Sequence, residues 1–201
     1  MTPADVAALG VIGAGGAGFP THVKLDSRPD TVIVNAAECE PLLHKDMEVL
    51  RHHLGQVLRG LEIVMEITGA SEAIVGIKDR HRDEIALLES RVPDRVRVIP
   101  LEDVYPAGDE VTLVYMTTRR IVQPGAIPLS VGCLVQNVET LYNIGAGQPV
   151  VDKFLSVAGA VEEPATVSVP VGVSYAEVLA QFRITTPRYV VRSGGLMMGL
   201  V

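Results

Sequence analysis

The chain has 201 residues, 48% hydrophobic and 20% charged, with a formal net charge of −7 and no tryptophan. That length supports a real core without disulfide or metal staples, and an acidic chain with no Lys/Arg block argues against a nucleic-acid surface. Mean hydropathy is +0.31, but no apolar run approaches the ~20 residues of a spanning helix, so direct membrane insertion is not expected.

Thr2-Pro3-Ala4-Asp5 reads as a helix start, with a hydroxyl cap, a proline in the first turn and an acid behind it. The short helix runs into Gly13-Ala14-Gly15-Gly16-Ala17-Gly18-Phe19-Pro20-Thr21, where four of nine residues are glycine. Glycine allows φ > 0 and lets backbone N–H groups meet a ligand with no Cβ between them. Such a loop before a helix suits a phosphate or a flat ring. By itself, the Gly13-x-Gly15-x-x-Gly18 pattern is equally compatible with a tight turn at a packing point. Thr21 can cap a further helical turn, and Lys24 follows one turn on.

Thr31-Val32-Ile33-Val34-Asn35 is a β-branched run of buried-strand type. Polar groups then appear abruptly in Asn35-Ala36-Ala37-Glu38-Cys39-Glu40-Pro41, and α/β folds place ligand contacts just beyond the carboxyl ends of buried strands. From about His44 to Ile67, an apolar stripe through Met47, Leu50, Leu54, Val57, Leu61 and Val64 predicts a helix closed by Gly69. Strands are expected within 72–79 and at Val96–Ile99, with a helix over Asp83–Ser90 between them. Val104-Tyr105-Pro106-Ala107-Gly108-Asp109-Glu110 leads into a helix ending near Met116. Pro124, Pro128 and Gly132 mark a connecting stretch, and Gln136-Asn137-Val138-Glu139-Thr140-Leu141 opens a helix to about Ile144. This alternation predicts a parallel sheet with helices on both faces.

Gly145-Ala146-Gly147-Gln148-Pro149 reads as a boundary. Beyond it, strands are expected at Phe154–Gly159, Thr166–Val169 and Tyr189–Val191. A helix is expected over Ser174–Gln181, capped by Ser174 with Glu177. The expected organisation is an α/β domain over 1–149 and a small α+β module over 150–201. No element closes that module after Met197-Met198-Gly199, so the chain is expected to be the N-terminal part of a longer protein.

The two cysteines, Cys39 and Cys133, form no Cys-x-x-Cys, and the five histidines, His22, His44, His52, His53 and His81, show no ligand spacing. No metal site is expected from this chain alone. Sparse cysteine points to a reducing, cytoplasmic compartment, and Met1-Thr2-Pro3-Ala4-Asp5 lacks the basic start of a signal peptide.

The stretch from Gly13 to Lys24 resembles the flavin loop of the NADH-oxidising subunit of respiratory complex I. Asn35 to Pro41 is similar to that family's second motif, and Asn137-Val138-Glu139-Thr140 to its last. The chain is also similar to the C subunit of Rnf-type electron-transport complexes and to the cobalamin reductases of propanediol-utilising microcompartments, and Val104 to Val111 and the tail Gly194-Gly195-x-Met197-Met198-Gly199 resemble motifs of those reductases. The resemblance covers essentially the whole chain. It implies a Rossmann-like domain binding FMN and NADH, followed by a soluble-ligand-binding β-grasp module. It also implies iron–sulfur clusters in a part beyond this chain. Implied partners are a nicotinamide nucleotide and an electron-acceptor protein, membrane complex or corrinoid. Implied locations are the cytoplasm, the periphery of a membrane complex or a bacterial microcompartment. The chain departs from the complex I subunit at Ala14, where that subunit carries Arg, and at Ala37, where it carries Asp. Both changes remove charge beside the expected flavin.

The resemblance further implies residue roles in hydride transfer from NADH to flavin and single-electron exit. Gly13, Gly15, Gly16 and Gly18 would leave one flavin face bare, and Phe19 would flank the nucleotide. Lys24 would offer positive charge to a phosphate or the reduced flavin. Asn35 and Glu38 would hydrogen-bond the flavin or its ribityl chain, and Glu40 would act on the NADH side. Tyr105, Gly108, Asp109 and Glu110 would form the opposite wall. Asn137 and Thr140, at a helix start, would receive the phosphate. Taken as bare residues, Phe19 also suits a core, Lys24 a solvated surface, Glu38 and Glu40 a helix start, and Asn137 a simple cap. A non-catalytic scaffold and a flavodoxin-like carrier without nicotinamide specificity remain alternative functions.

Overall fold

A computed structural model describes residues 1–197 and 199 of the chain. The chain opens with helix α1 (Pro3–Ala8), started by a full capping box between Thr2 and Asp5. After the glycine loop comes α2 (Thr21–Leu25). Its cap position is Pro20, with no side-chain cap bond, so the expected Thr21 cap is not formed. Instead the Thr21 hydroxyl is buried and makes no hydrogen bond among the described residues.

Strand β1 (Thr31–Ala36) leads to α3 (Lys45–Thr68), which ends at Gly69 in the left-handed conformation. Then follow β2 (Glu72–Lys78), α4 (Arg82–Glu89), β3 (Val96–Leu101) and α5 (Glu110–Thr118). The stretch expected to be a plain connection holds a 3-10 turn at Pro128–Val131 and a fourth strand, β4 (Cys133–Asn137). The helix expected from Gln136 therefore starts later, as α6 (Val138–Ala146). Gln136 and Asn137 belong to the strand because Val34 and Asn35 of β1 pair with them.

The sheet is wholly parallel, in the order β3-β2-β1-β4. Successive residues of β1 face opposite sides. Val32 and Val34 join a core with α1, α3, α4 and α6, whereas Ile33 joins Leu113 and Val114 of α5 on the other face. Helices α3 and α6 meet backbone to backbone. A Cβ built at Gly60 would overlap the Leu141 carbonyl, and one at Gly145 would overlap the Gln56 carbonyl.

Beyond Pro149, β5 (Asp152–Val157) and β6 (Ala165–Pro170) form an antiparallel pair, and α7 (Tyr175–Leu179) carries the expected Ser174–Glu177 capping box. Val157, Val161 and Val178 form a separate small core. Tyr189–Val191 is not a strand; these residues are exposed and pair with no strand among the described residues. Of the tail motif Gly194-Gly195-x-Met197-Met198-Gly199, Met198 lies outside the described residues. Phe154 packs against His53 and Tyr142, with ring centroids 5.7 and 5.3 Å away. This places β5 against α3 and α6. Among the described residues, no helix is long and apolar enough to cross a membrane.

Candidate functional site

The strand order places the site. The chain builds β1, β2 and β3 outward in one direction, then returns to lay β4 on the other side of β1. The carboxyl ends of β1 and β4 therefore flank the topological switch point, where open α/β sheets leave a crevice.

The glycine loop stands over this crevice. Its base is closed by the Gly13 N–H donating to the Phe19 carbonyl at 2.8 Å. Its leading edge is pinned by the Ala14 N–H donating to the Thr140 hydroxyl at 2.9 Å. A Cβ at Gly15 would reach only Asn137, at 3.7 Å, and one at Gly16 would meet nothing within 4 Å. Gly16 and Gly18 have φ of +115° and +62°, which an L side chain rarely adopts. Among the described residues, the N–H groups of Gly15, Gly16, Ala17 and Gly18 donate no hydrogen bond. The loop thus presents bare backbone donors and open space.

Asn35 and the start of α5 form the facing wall. Asn35 donates through Nδ2 to the Gly108 carbonyl at 2.8 Å and accepts from the Ala37 N–H at 3.2 Å. A Cβ at Gly108 would come to 3.0 Å from Cys39 Sγ, so a larger residue there would have to push that thiol aside. Asp109 caps α5 by accepting from the Thr112 N–H. Glu110 binds Lys24 at 2.7 Å, and Lys24 also donates to the Val135 carbonyl at 3.3 Å. The Lys24 ammonium lies 5.7 Å from the centre of the Phe19 ring. Phe19 and Tyr105 are each close to half exposed, so neither is a core aromatic.

Asn137 acts as the cap of α6, accepting from the Glu139 N–H, and donates to Asp46 at 2.7 Å. Its side chain and that of Thr140 are therefore engaged within the protein. Both support the loop and the start of α6.

Glu38 takes a positive φ of +37° at the end of β1. One carboxyl oxygen accepts from the Asp46 N–H at 2.9 Å, and the other is buried with no partner among the described residues. Burial, and then the neighbouring Asp46 carboxylate, push the Glu38 carboxyl up to about 7. Asp46 opens onto a buried ionic cluster. Lys45 bridges Asp46 at 2.6 Å and Glu139 at 2.9 Å, and Lys153 of β5 meets Glu139 at 2.6 Å. Burial opposes the Glu139 charge, but Lys45 and Lys153 outweigh it and hold this carboxyl below its ordinary range. Sequence reasoning singled out neither Lys45, Asp46 nor Lys153, and gave Glu139 no role. The readable signal was the one charged residue of a mostly apolar helix, at its second position.

Glu40 is not aimed into open solvent. Its Oε2 accepts from the Met197 N–H at 3.1 Å, and the tail passes against it at Gly195. A separate groove of about 630 Å³, lined in part by Met1, Leu9, Arg59 and Glu62, shares no residue with the crevice.

Residues 6–146 match the sequence family described as the Nuo51 FMN-binding domain. The chain belongs to that family. The match runs from α1 to the end of α6 and so covers every wall of the crevice described above. The residues present fit FMN: open space above the glycines, unengaged backbone donors, and an unpartnered buried carboxyl oxygen on Glu38. This member of the family is 45% identical to the cobalamin reductase PduS of Salmonella typhimurium over 96% of this chain and 44% of that protein. It is 37% identical to the C subunit of the ion-translocating oxidoreductase complex of Pseudomonas aeruginosa over 96% of this chain and 26% of that one. It is 35% identical to the C subunit of the Na⁺-translocating ferredoxin:NAD⁺ oxidoreductase complex of Acetobacterium woodii, over 95% of this chain and 46% of that protein. The chain thus spans less than half the length of these relatives. A chain of an NAD⁺-reducing [NiFe]-hydrogenase superposes with a TM-score of 0.80 at 26% identity, over 93% of this chain and 39% of that one.

Proposed function

We propose that the chain is the FMN- and NADH-binding part of a flavoprotein that oxidises NADH and passes the electrons through FMN to iron–sulfur centres or a partner. The observation that carries this reading is the bare glycine loop, held over the switch point with its donors unengaged. Bound FMN would supply hydride acceptance and one-electron release. The chain's own residues bind and orient. Gly13, Gly15, Gly16 and Gly18 leave one ring face clear for nicotinamide. Asn35 and Glu38 face the flavin side, with Gly108, Asp109 and Glu110 opposite and Phe19 and Tyr105 at the rim. Lys24, steadied by Glu110, supplies positive charge. Asn137 and Thr140 hold the start of α6, whose N–H groups favour a phosphate. Glu40 lies on the dinucleotide side.

The iron–sulfur part of the electron route lies outside these residues in this reading. Two thiols cannot ligate such a cluster, and the relatives are more than twice as long. A corrinoid acceptor in a microcompartment is favoured by the relative named as a cobalamin reductase, and a peripheral place on a membrane complex by those named as ion-translocating subunits. The test is an anaerobic titration of the FMN-reconstituted chain with NADH. Bleaching of the flavin absorbance is expected. A chain that binds FMN but is not bleached is a carrier without nicotinamide specificity, and one that binds no FMN is a scaffold.

A further inference from the structure

The stretch from Glu38 to Lys45 is joined to the chain beyond Pro149 directly at His44 and Glu40, and at Lys45 only through Glu139. The Ser156 hydroxyl accepts from the His44 N–H at 3.0 Å. Lys153 enters the buried cluster that holds Lys45. The other direct contact is the Met197 N–H donating to Glu40. Glu40 follows the carboxyl end of β1 by four residues, and the chain around the contact fits it closely. Gly194 and Gly195 take φ of +92° and +99°, and a Cβ at Gly195 would overlap the Glu40 carboxylate. The Gly199 N–H folds back onto the Gly195 carbonyl at 3.1 Å, and Ser193 bonds the Tyr175 hydroxyl of α7 at 2.7 Å.

A hydrogen bond to a carboxylate is charge-assisted, and it fixes where the negative charge sits. NADH and NAD⁺ carry an anionic diphosphate, and this chain is itself acidic. A carboxylate at the rim repels such a ligand unless a donor holds it and absorbs part of its field.

We propose that the Gly194–Met197 tail is part of the dinucleotide side of the crevice: its backbone holds the Glu40 carboxylate, and that hold sets the affinity for an anionic dinucleotide. This rests on the reading that Glu40 lies on that side.

The experiment is a double-mutant cycle on the FMN-loaded chain, reading the Kd of NAD⁺ at low ionic strength and the Kd of FMN separately. Gly195→Ala separates the tail from the Glu40 carboxylate, whichever of the two moves. It is expected to weaken NAD⁺ by about three- to tenfold, the range of a partly solvated charge contact, with FMN affinity unchanged. In a Glu40→Gln background, which keeps the shape but removes the charge, the same substitution is expected to change NAD⁺ affinity by less than about twofold. The difference shrinks at high salt. Met197→Pro removes the donor without adding a Cβ at Gly195 and is expected to act in the same direction. It decides the matter should Gly195→Ala also disturb FMN. Equal losses in both backgrounds would mean that the tail acts by shape and would overturn the proposal. No loss in either background would remove the tail from the site. A wild-type chain that holds FMN but binds no NAD⁺ would overturn the reading of the crevice itself, and this inference with it.

Discussion

Ala14 and Thr140 lie 126 residues apart in sequence and are joined by one hydrogen bond, from the Ala14 N–H to the Thr140 hydroxyl. Thr140 is fully buried, and its helix starts at the end of β4. The bond therefore couples the glycine loop to the sheet's switch point. Thr140→Val keeps the shape and removes the acceptor, leaving the Ala14 N–H without a partner. Losing such a part-buried bond costs about 0.5–1.5 kcal/mol. We expect a lower unfolding midpoint and weaker FMN binding, with Thr140→Ser restoring both. FMN fluorescence quenching beside thermal unfolding checks this; full FMN affinity in the valine variant would contradict it.

Gly15 separates the cradle from the turn. Gly16→Val would strain a backbone at φ +115°, so lost FMN binding there would have two causes. Gly15 has ordinary φ and open space, with Asn137 as its nearest neighbour. Gly15→Val is expected to fold normally by circular dichroism and to lose FMN. Retention of stoichiometric FMN would mean that the loop is only a turn.

Glu38 makes stability depend on pH with a definite sign. Its folded value of about 7 stands above the ordinary 4.5, so the native state binds the proton more readily than the unfolded chain. Its contribution is fully present below about 4.5 and is lost as pH rises through about 7. Glu38→Gln mimics the neutral acid. It is expected to match the wild type near pH 5 and to exceed it near pH 8 by on the order of 1–3 kcal/mol. Urea unfolding at the two pH values measures the difference; parallel profiles would show that Glu38 does not titrate as described.

Two helical glycines of α3 should answer oppositely to alanine. Gly60→Ala forces a methyl group into the Leu141 carbonyl and is expected to destabilise by about 2–3 kcal/mol. Gly55 has nothing within 4 Å of its Cβ position, and Gly55→Ala is expected to stabilise by about 0.5–1 kcal/mol through helix propensity. Thermal melts of the pair decide whether the α3–α6 contact is as close as described.

Local pattern was enough to read β1, α3, β2, β3 and the Asn137 cap, because each carries its own periodicity or punctuation. It was not enough for β4. Cys133-Leu134-Val135 is a short apolar run between Gly132 and the polar Gln136-Asn137, and only pairing with β1 makes all five residues a strand. The opposite error arose at Tyr189–Val191, where β-prone side chains meet no neighbouring strand; such propensity expresses a fit to a half-buried pleated surface. In the site, glycines and caps announce themselves locally. The Lys45–Glu139–Lys153 cluster does not, since its members come from three separate elements and Lys45 stands far from the other two in sequence. Nor does the tie between Glu40 and Met197, which spans 157 residues.

The place of β4 in the sheet also fixes when a site can exist. Each β1–β4 pair joins residues about a hundred positions apart, and closing so long a loop is slow. While the chain is being synthesised, β1, β2 and β3 can assemble long before residues 133–137 emerge. Until then, one edge of β1 stays unpaired and open to a foreign strand. The Thr140 anchor and Asn137 arrive with β4 and α6, so the sheet side of the crevice is completed only then. A cofactor that binds there can reward only the finished sheet. It can trap the product of folding, but it has no surface on which to guide the early stages.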